Sequence, residues 1–293
     1  GPLKPFVDMV PSNLISSASN NRNMLQIVFV AILVGIALIQ IPSKKSKVFL
    51  DFFDGLNEVV LKVIDIIMLM APIGVFSLIA QTINKVVGNN LSQVIELLGA
   101  LGFYMFTLTL GLILHVAITY LSLLKFYTKM PIQTFLQGIS PAQLLAFSTS
   151  SSGATLPITM ERCEEKLGVS EEVSSFVLPL GATINMDGTA QYQAVAAVFI
   201  SQALGMDLSI ADQITIILTT VLASIGTAAV PAAGIIMLII ILESVGVPSA
   251  GVALILGVDR ILDMVRTTVN VTGDAAVAVS VAASENQLKT FGK

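Results

Sequence analysis

The sequence has few charged residues for its length. Charged residues make up 12% of the 293 positions, hydrophobic residues make up 55%, and the mean hydropathy is +0.88. Soluble domains carry about a quarter charged residues, so this composition predicts an integral membrane protein. The formal net charge of −4 and the lack of a basic patch give no case for a nucleic-acid partner.

Cysteine and histidine occur once each. The single Cys163 excludes an intrachain disulfide. His115 lies among the apolar residues 112–116, and no second ligand follows at a metal-binding spacing. We therefore expect a packed, hydrogen-bonded histidine at this position rather than a functional one.

A polar stripe near the C-terminus is the main functional signal. On an α-helix, six polar residues fall within an arc of about 100°, namely Asp259, Asp263, Arg266, Thr267, Asn270 and Asp274. Facing lipid, such a stripe would cost about 10 kcal/mol, at roughly 2.5 to 3.5 kcal/mol for each charge. We expect it to line a protein interior or a watery cavity and to form a functional site.

The rest of the chain divides by hydropathy, since about 20 apolar residues span a bilayer. Residues 1–23 are predicted to be an extracellular connector, starting with a Gly1-Pro2 pair typical of tag removal and without a signal peptide. Residues 24–90 would hold scaffold helices, kinked at Pro72. The distribution of lysine and arginine places the N-terminus outside, so we expect an odd number of spans upstream of it.

Residues 91–293 are predicted to form a transport domain that starts with a helix at 91–124. Two later segments are apolar at both ends and broken in the middle, at 131–165 and 207–245. Serines and a glycine break the first one, and Pro231 argues against a straight helix in the second. We interpret both as re-entrant helical hairpins that enter from opposite sides. The alternative for the first is one helix whose serines bond to their own backbone.

Each hairpin precedes a helix with a polar motif, at 171–205 and 249–285. On an unbroken helix Asn185 and Asp187 would point in nearly opposite directions, so a shared site requires unwinding, which Gly188 permits. Carbonyl groups freed there suit a small hard cation. The predicted fold is therefore an all-α, multi-span membrane protein whose two hairpins form an inverted repeat, as in secondary transporters.

The charges of the stripe predict the ligand. Arg266 can hold a carboxylate with two parallel hydrogen bonds, and Asp263 can hold an ammonium group. An acidic amino acid would add negative charge, which co-bound cations would compensate through the oxygens of Asn185, Asp187, Asn270 and Asp274. The alternative is an Asp263–Arg266 ion pair without a ligand, which leaves carboxylates uncompensated.

The polar motifs of this sequence resemble those of the dicarboxylate/amino acid:cation symporter family, the glutamate and aspartate transporters. The matching segments are Ser150-Ser151-Ser152-Gly153, Asn185-Met186-Asp187-Gly188-Thr189, the broken second hairpin and the run from Asp263 to Asp274. The resemblance covers essentially the whole chain after Pro2. It implies a homotrimer in the cell membrane, with a static scaffold and a transport domain that moves like an elevator. Sodium would be the coupling ion.

The resemblance also implies roles for individual residues. Arg266 would bind the substrate side-chain carboxylate and Asp263 its amine. Further substrate contacts would come from Thr189, Thr267, Asn270 and the two hairpin tips, Ser151 and Ser152 in the first and Ala229, Val230, Pro231 and Ala232 in the second. The sodium ligands would be Gly181, Asn185, Asn270 and Asp274 at one site, Thr183 at another, and Asn185 with Asp187 at a third.

The sequence departs from the family at several points. Family chains begin with three more helices, and the third of these contributes to the third sodium site. Alanines stand at 229 and 232, where archaeal relatives are rich in glycine. Gln193 stands where animal relatives have a proton-linked glutamate, which weakens the alternative of a proton-coupled glutamate symporter.

Two further alternatives come from other classes of protein. An anion channel can coexist with transport in this family. An intramembrane aspartyl protease would use Asp187 and Asp274, but the sequence before Asp274 lacks the Gly-x-Gly-Asp motif of such enzymes. We therefore predict a transporter in the lipid bilayer, with an amino acid as its small-molecule substrate, and no enzyme. The presence of both Asp263 and Arg266 favours aspartate or glutamate as the substrate.

Overall fold

The computed structural model describes residues 10–19, 24–68, 73, 77, 91–225, 227, 229 and 231–289. These residues form helices and short connections, with no β-strand among them beyond an isolated bridge between Val169 and Leu288. The predicted all-α class is therefore confirmed. The Gly1-Pro2 start, the kink at Pro72 and the tip residue Val230 lie outside the described residues.

The chain divides into two compact units, residues 1–81 and 82–293. The first unit contains α1 (Leu14–Ala18), α2 (Met24–Gln40) and α3 (Ser43–Met68). The side chain of Asn13 accepts a hydrogen bond from the Ser16 N–H at 3.1 Å and so starts α1. Pro42 lies between α2 and α3. Because proline has no backbone N–H to donate, α2 ends before it.

The second unit begins with one long helical stretch. It consists of α4 (Leu91–His115), a π-helical turn (Val116–Tyr120) and α5 (Leu121–Tyr127). Within it, the 33 residues Ile95–Tyr127 contain an 18-residue stretch with a mean hydropathy of 2.0, and they form the only helix in the described part of the chain that is long and apolar enough to span a membrane. The sequence predicts a long helix at 91–124, and the structure has a helical stretch there that extends to Tyr127 and contains a π turn.

Two pairs of antiparallel helices follow. The first pair is α6 (Ile132–Thr149) and α7 (Ser152–Glu165), and the second is α10 (Ile210–Ser224) and α11 (Ala233–Ser244). Three of these helices, with 12 to 15 residues, are too short to cross a bilayer of about 30 Å, which takes roughly 20 residues, and the 18-residue α6 has Pro141 inside it. The members of each pair pack against each other.

The two tips are held in different ways. In the first pair, Ser150 has a left-handed backbone (φ 54°) and ends α6, while the Ser151 side chain accepts from the Ala154 N–H at 3.1 Å and starts α7. In the second pair, Ala232 is left-handed (φ 62°) and its side chain makes no cap for α11. The second tip therefore depends on contacts from elsewhere in the fold.

Between the pairs lies the broken helix, with α8 (Glu171–Ile184) and α9 (Asp187–Ala203) separated by two residues. The chain ends in a 3₁₀ turn (Ser249–Leu254) and α12 (Leu256–Ser284). The sequence had predicted one continuous last helix at 249–285, so the 3₁₀ turn is a correction. The helix α12 packs against α4, the π turn and the helices α5 to α9.

The position of α12 buries the polar stripe. All six of its residues are buried, with between 2% and 6% of their surface exposed. The prediction that the stripe faces the protein interior is confirmed. Apolar side chains of the same helix are buried around it, among them Leu262, Val269 and Val271. Polar groups buried this way need partners, and these partners define the candidate site.

Candidate functional site

The stripe carries a tight ion pair at its centre. Arg266 and Asp263 are 3% and 2% exposed. The Nε and Nη2 atoms of Arg266 lie 2.9 and 2.8 Å from the same carboxylate oxygen, Oδ1 of Asp263. The other oxygen, Oδ2, accepts a hydrogen bond from the Ala232 N–H at 2.9 Å. The two side chains predicted to bind opposite ends of a ligand are thus bound to each other here.

The rest of the Arg266 guanidinium is held by α9 and by the start of α11. Its Nη1 donates to the Thr189 hydroxyl at 3.3 Å, and the group lies 4.9 Å above the centre of the Tyr192 ring. Gly234 provides the space, because a Cβ atom there would lie 2.1 Å from Nη1. These contacts fix the direction in which the guanidinium points.

The two tips meet over this ion pair. The Ser151 hydroxyl donates to the Ala229 carbonyl at 2.7 Å, and the Gly153 N–H donates to the same oxygen at 3.1 Å. Beneath them is a cavity of about 10 Å³, which is room for about one water molecule. Its lining comes from both tips, the helix break and α12, and comprises Ser150, Ser152, Met186, Thr189, Thr227, Ala229, Ala233, Arg266, Thr267 and Asn270.

A second polar cluster lies where α8 ends. The Asn185 amide donates to Asp274 Oδ1 at 3.0 Å, and a Cβ on Gly181 would lie 2.7 Å from that oxygen. The backbone carbonyls of residues 182–185 accept no backbone hydrogen bond from any residue that the structure describes. Carboxylate, amide and free carbonyl oxygens together are the ligands that a hard cation takes.

Asn270 joins α12 to the start of α9. Its Oδ1 accepts from the Gly188 N–H at 2.8 Å, and its Nδ2 donates to the Thr189 hydroxyl at 3.0 Å. Because Asn270 follows Arg266 by four residues and precedes Asp274 by four, it lies about one helical turn from the ion pair and one turn from the second cluster. The motifs at 185–189 and 263–274 therefore form one continuous polar region.

Two predicted cation ligands lie apart from that cluster. Asp187 Oδ2 accepts hydrogen bonds from His115 Nε2 at 3.1 Å and from the Tyr120 hydroxyl at 3.0 Å, not from Asn185. Thr183 is exposed, and its hydroxyl donates to the Leu180 carbonyl at 3.1 Å. The structure does not bring the side chains of Thr183, Asn185 and Asp187 together.

Three site residues were missed by the sequence reasoning. His115 and Tyr120 contact Asp187, and the Tyr192 hydroxyl donates to Asp259 Oδ1. They supply hydrogen bonds to carboxylates that the sequence left uncompensated. Tyr192 follows Thr189 by three residues and so lies near it on α9, a spacing that could have indicated its place.

The described residues hold no group of three or more His, Cys, Asp or Glu side chains that could bind a metal ion. Asp187 and Asp274 have separate hydrogen-bond donors and share none. A protease pair would share a proton between two adjacent carboxylates. The geometry therefore does not support a catalytic pair formed by Asp187 and Asp274.

Several known proteins with similar sequences belong to one group of transporters. Residues 1–284 match the sodium:dicarboxylate symporter family. The chain is 43% identical over 264 residues to excitatory amino acid transporter 3 of Mus musculus, covering 89% of this chain and 49% of that protein. It is 41% identical over 257 residues to an excitatory amino acid transporter of Caenorhabditis elegans (88% and 50%) and 42% over 269 residues to excitatory amino acid transporter 1 of Ambystoma tigrinum (92% and 48%). The chain thus spans about half the length of these relatives.

Proposed function

The chain belongs to the sodium:dicarboxylate symporter family, and we propose that it forms the binding region of a sodium-coupled transporter for L-aspartate or L-glutamate. Membership of this family makes it an integral protein of the cell membrane and part of a transporter rather than an enzyme. Its relatives are named as excitatory amino acid transporters.

The observation that carries the proposal is the buried Arg266 beside Asp263 under two tips. A buried arginine needs an anionic partner, and its planar fork matches a carboxylate. In the structure Asp263 fills that role with a single oxygen. An amino acid with a side-chain carboxylate would take the guanidinium and free Asp263 to bind the amine. The same exchange keeps both buried charges paired.

Sodium coupling follows from charge. The substrate carries two carboxylates and one ammonium, so it adds one net negative charge to a region that already contains Asp263 and Asp274, and each buried charge costs several kcal/mol if it stays uncompensated. The oxygens of Gly181, Asn185 and Asp274, with the free carbonyls at the helix break, offer a place for a cation. Sodium bound there would offset the negative charge that the substrate brings in.

The tips would act as the gate. A cavity of about 10 Å³ holds no amino acid, so binding requires the Ser151–Ala229 contact to open. Because α7, α10 and α11 are too short to span, neither pair can consist of two full spans, and we propose that the pairs are re-entrant hairpins entering from opposite faces. On this view they belong to inverted repeats, and residues 91–293 move as the transport domain of a homotrimer against a scaffold at 24–90.

The substrate assignment is tested with Arg266→Ala. We expect it to abolish L-aspartate binding, because the carboxylate loses its partner, while binding of a neutral amino acid falls less. The matched control is Arg260→Ala, since Arg260 is on the same helix but exposed. Binding is measured by calorimetric titration. Equal losses for acidic and neutral amino acids would contradict the proposed role of Arg266.

A further inference from the structure

The long helix of the second unit contains a feature that its apolar sequence does not require. Val116–Tyr120 is a π-helical turn, in which the Leu121 N–H bonds to the Val116 carbonyl five residues back. Such turns are rare and occur frequently at functional sites. The apolar faces of α4 and α5 could pack without one.

The π turn changes which side chains share a face. His115 and Tyr120 are five positions apart, so on a regular α-helix they would point about 140° away from each other. The wider turn brings residues at this spacing to one face of the helix. Their rings lie 4.8 Å apart in an edge-to-face arrangement.

Both side chains reach the same atom. His115 Nε2 lies 3.1 Å and the Tyr120 hydroxyl 3.0 Å from Oδ2 of Asp187, the first residue of α9. The Thr119 hydroxyl lies 3.3 Å from the other ring nitrogen, Nδ1. The network is satisfied by a neutral His115 that donates from Nε2 and accepts from Thr119.

Tyr120 is fixed from the opposite side by α12. Tyr120 is 2% exposed, and a Cβ atom on Gly273 would lie only 2.3 Å from its hydroxyl oxygen. Gly273 directly precedes Asp274, and the Asn185 amide lies 3.0 Å from the same Cβ position. The hydroxyl of Tyr120 therefore lies next to the cluster proposed to bind sodium.

Only one oxygen of Asp187 is held in this way. Oδ1 has no hydrogen-bond donor among the described residues, and 40% of the Asp187 side chain is exposed. An exposed carboxylate normally rotates freely, whereas two donors on Oδ2 fix its orientation. Fixing a ligand through a second layer of hydrogen bonds is how proteins raise the affinity of ion sites.

We propose that the π turn is a positioning device for a cation at Asp187, in which Tyr120 and His115 hold Oδ2 so that Oδ1 faces the ion. This inference rests on the proposed sodium coupling and on the third sodium site that the family resemblance implies, for which Asp187 would be a ligand. Tyr120 and His115 are positioning residues, since they act through the carboxylate and do not themselves bind the ion.

The test is Tyr120→Phe, with Tyr104→Phe as the matched control. Both changes remove one hydroxyl from a buried tyrosine, but the Tyr104 hydroxyl has no hydrogen-bond partner among the described residues. We expect Tyr120→Phe to raise the half-saturating sodium concentration for aspartate binding about tenfold, the effect of one lost hydrogen bond to a charged group. Aspartate affinity at saturating sodium should be unchanged.

A second readout separates positioning from general stability. Sodium alone should raise the Tm of the unsubstituted chain and of Tyr104→Phe, and this sodium-dependent rise, measured for each variant against its own Tm in choline, should be smaller in Tyr120→Phe. His115→Gln keeps a donor near the position of Nε2 and should retain most of the sodium response. His115→Leu should lose it.

The outcomes distinguish the two proposals. If the unsubstituted chain binds aspartate in a sodium-dependent way and Tyr120→Phe matches Tyr104→Phe, the positioning role is wrong and the proposed function stands. Equal sodium responses in His115→Gln and His115→Leu would also overturn it. If the unsubstituted chain shows no sodium-dependent binding, the proposed function fails and the inference fails with it.

Discussion

Gly234→Ala is the substitution that tests the geometry of the ion pair most sharply. The added Cβ would lie 2.1 Å from Nη1 and 2.8 Å from Cζ of Arg266. Ordinary contacts of this kind are about 3.4 Å or longer, so the guanidinium would have to move by roughly 1 Å. Arg266 is 3% exposed, and the cavity that it lines has room for only about one water molecule.

The cost of this movement can be bounded. Inserting a methyl group into a packed interior costs about 1 to 3 kcal/mol. The displaced guanidinium would also weaken its contacts with Asp263 and Thr189, now 2.8 to 3.3 Å long. If about 2 kcal/mol of this is lost from substrate recognition, the Kd for L-aspartate rises roughly 30-fold.

The assay is a calorimetric titration of L-aspartate at saturating sodium. The matched control is Gly102→Ala, because a Cβ at Gly102 meets nothing within 4 Å. We expect the control to bind like the unsubstituted chain. An unchanged Kd for Gly234→Ala, in a protein whose Tm stays near that of the control, would refute the claim that the guanidinium occupies this space and binds the substrate.

Two further substitutions test the tip and the cation cluster. Ser151→Ala removes the hydroxyl that donates to the Ala229 carbonyl at 2.7 Å and caps α7. If the closed tip loses about 1 kcal/mol of stability, aspartate release should become about fivefold faster in an isotope-chase experiment. The control is Ser140→Ala, and equal release rates in the two variants would argue against a gate at this tip. Gly181→Ala places a Cβ 2.7 Å from Asp274 Oδ1, so the sodium concentration for half-maximal aspartate binding should rise by about tenfold or more. Gly99→Ala is the control, because a Cβ there meets nothing within 4 Å, and it should leave this concentration unchanged.

The stripe and the helix break were predictable because both are local patterns. Helical spacing places Asp263, Arg266 and Asn270 on one face, and lipid excludes such a face from the exterior. The break between α8 and α9 lies at Asn185 and Met186, within the polar motif where it was expected. Both features depend on residues that are close together in the sequence, and the burial of the polar face also follows from the exclusion of charge from lipid.

The pairing of side chains was not predictable in the same way. Asp187 was expected to share a site with Asn185, but its partners are His115 and Tyr120, about 70 residues away in the sequence. Only the π turn makes that pairing possible, and the apolar sequence of Val116–Tyr120 gives no signal for it. A hydrophobic helix tolerates either winding, so the choice depends on tertiary contacts.

The ion pair between Asp263 and Arg266 illustrates a related limit. Spacing of three residues allows both a direct pair and a shared ligand. The structure has the direct pair, closed by the Ala232 N–H and covered by Ser151 and Ala229. Which arrangement forms depends on the two tips, whose contacts with each other join residues far apart in the chain.

The central claim is that the buried site binds an acidic amino acid together with sodium. The most direct test is a calorimetric titration of L-aspartate into the purified chain in sodium buffer and again in choline buffer. The charge argument predicts binding in sodium and a loss of affinity of at least about tenfold in choline. Equal affinity in both buffers would contradict sodium coupling and favour the proton-coupled alternative.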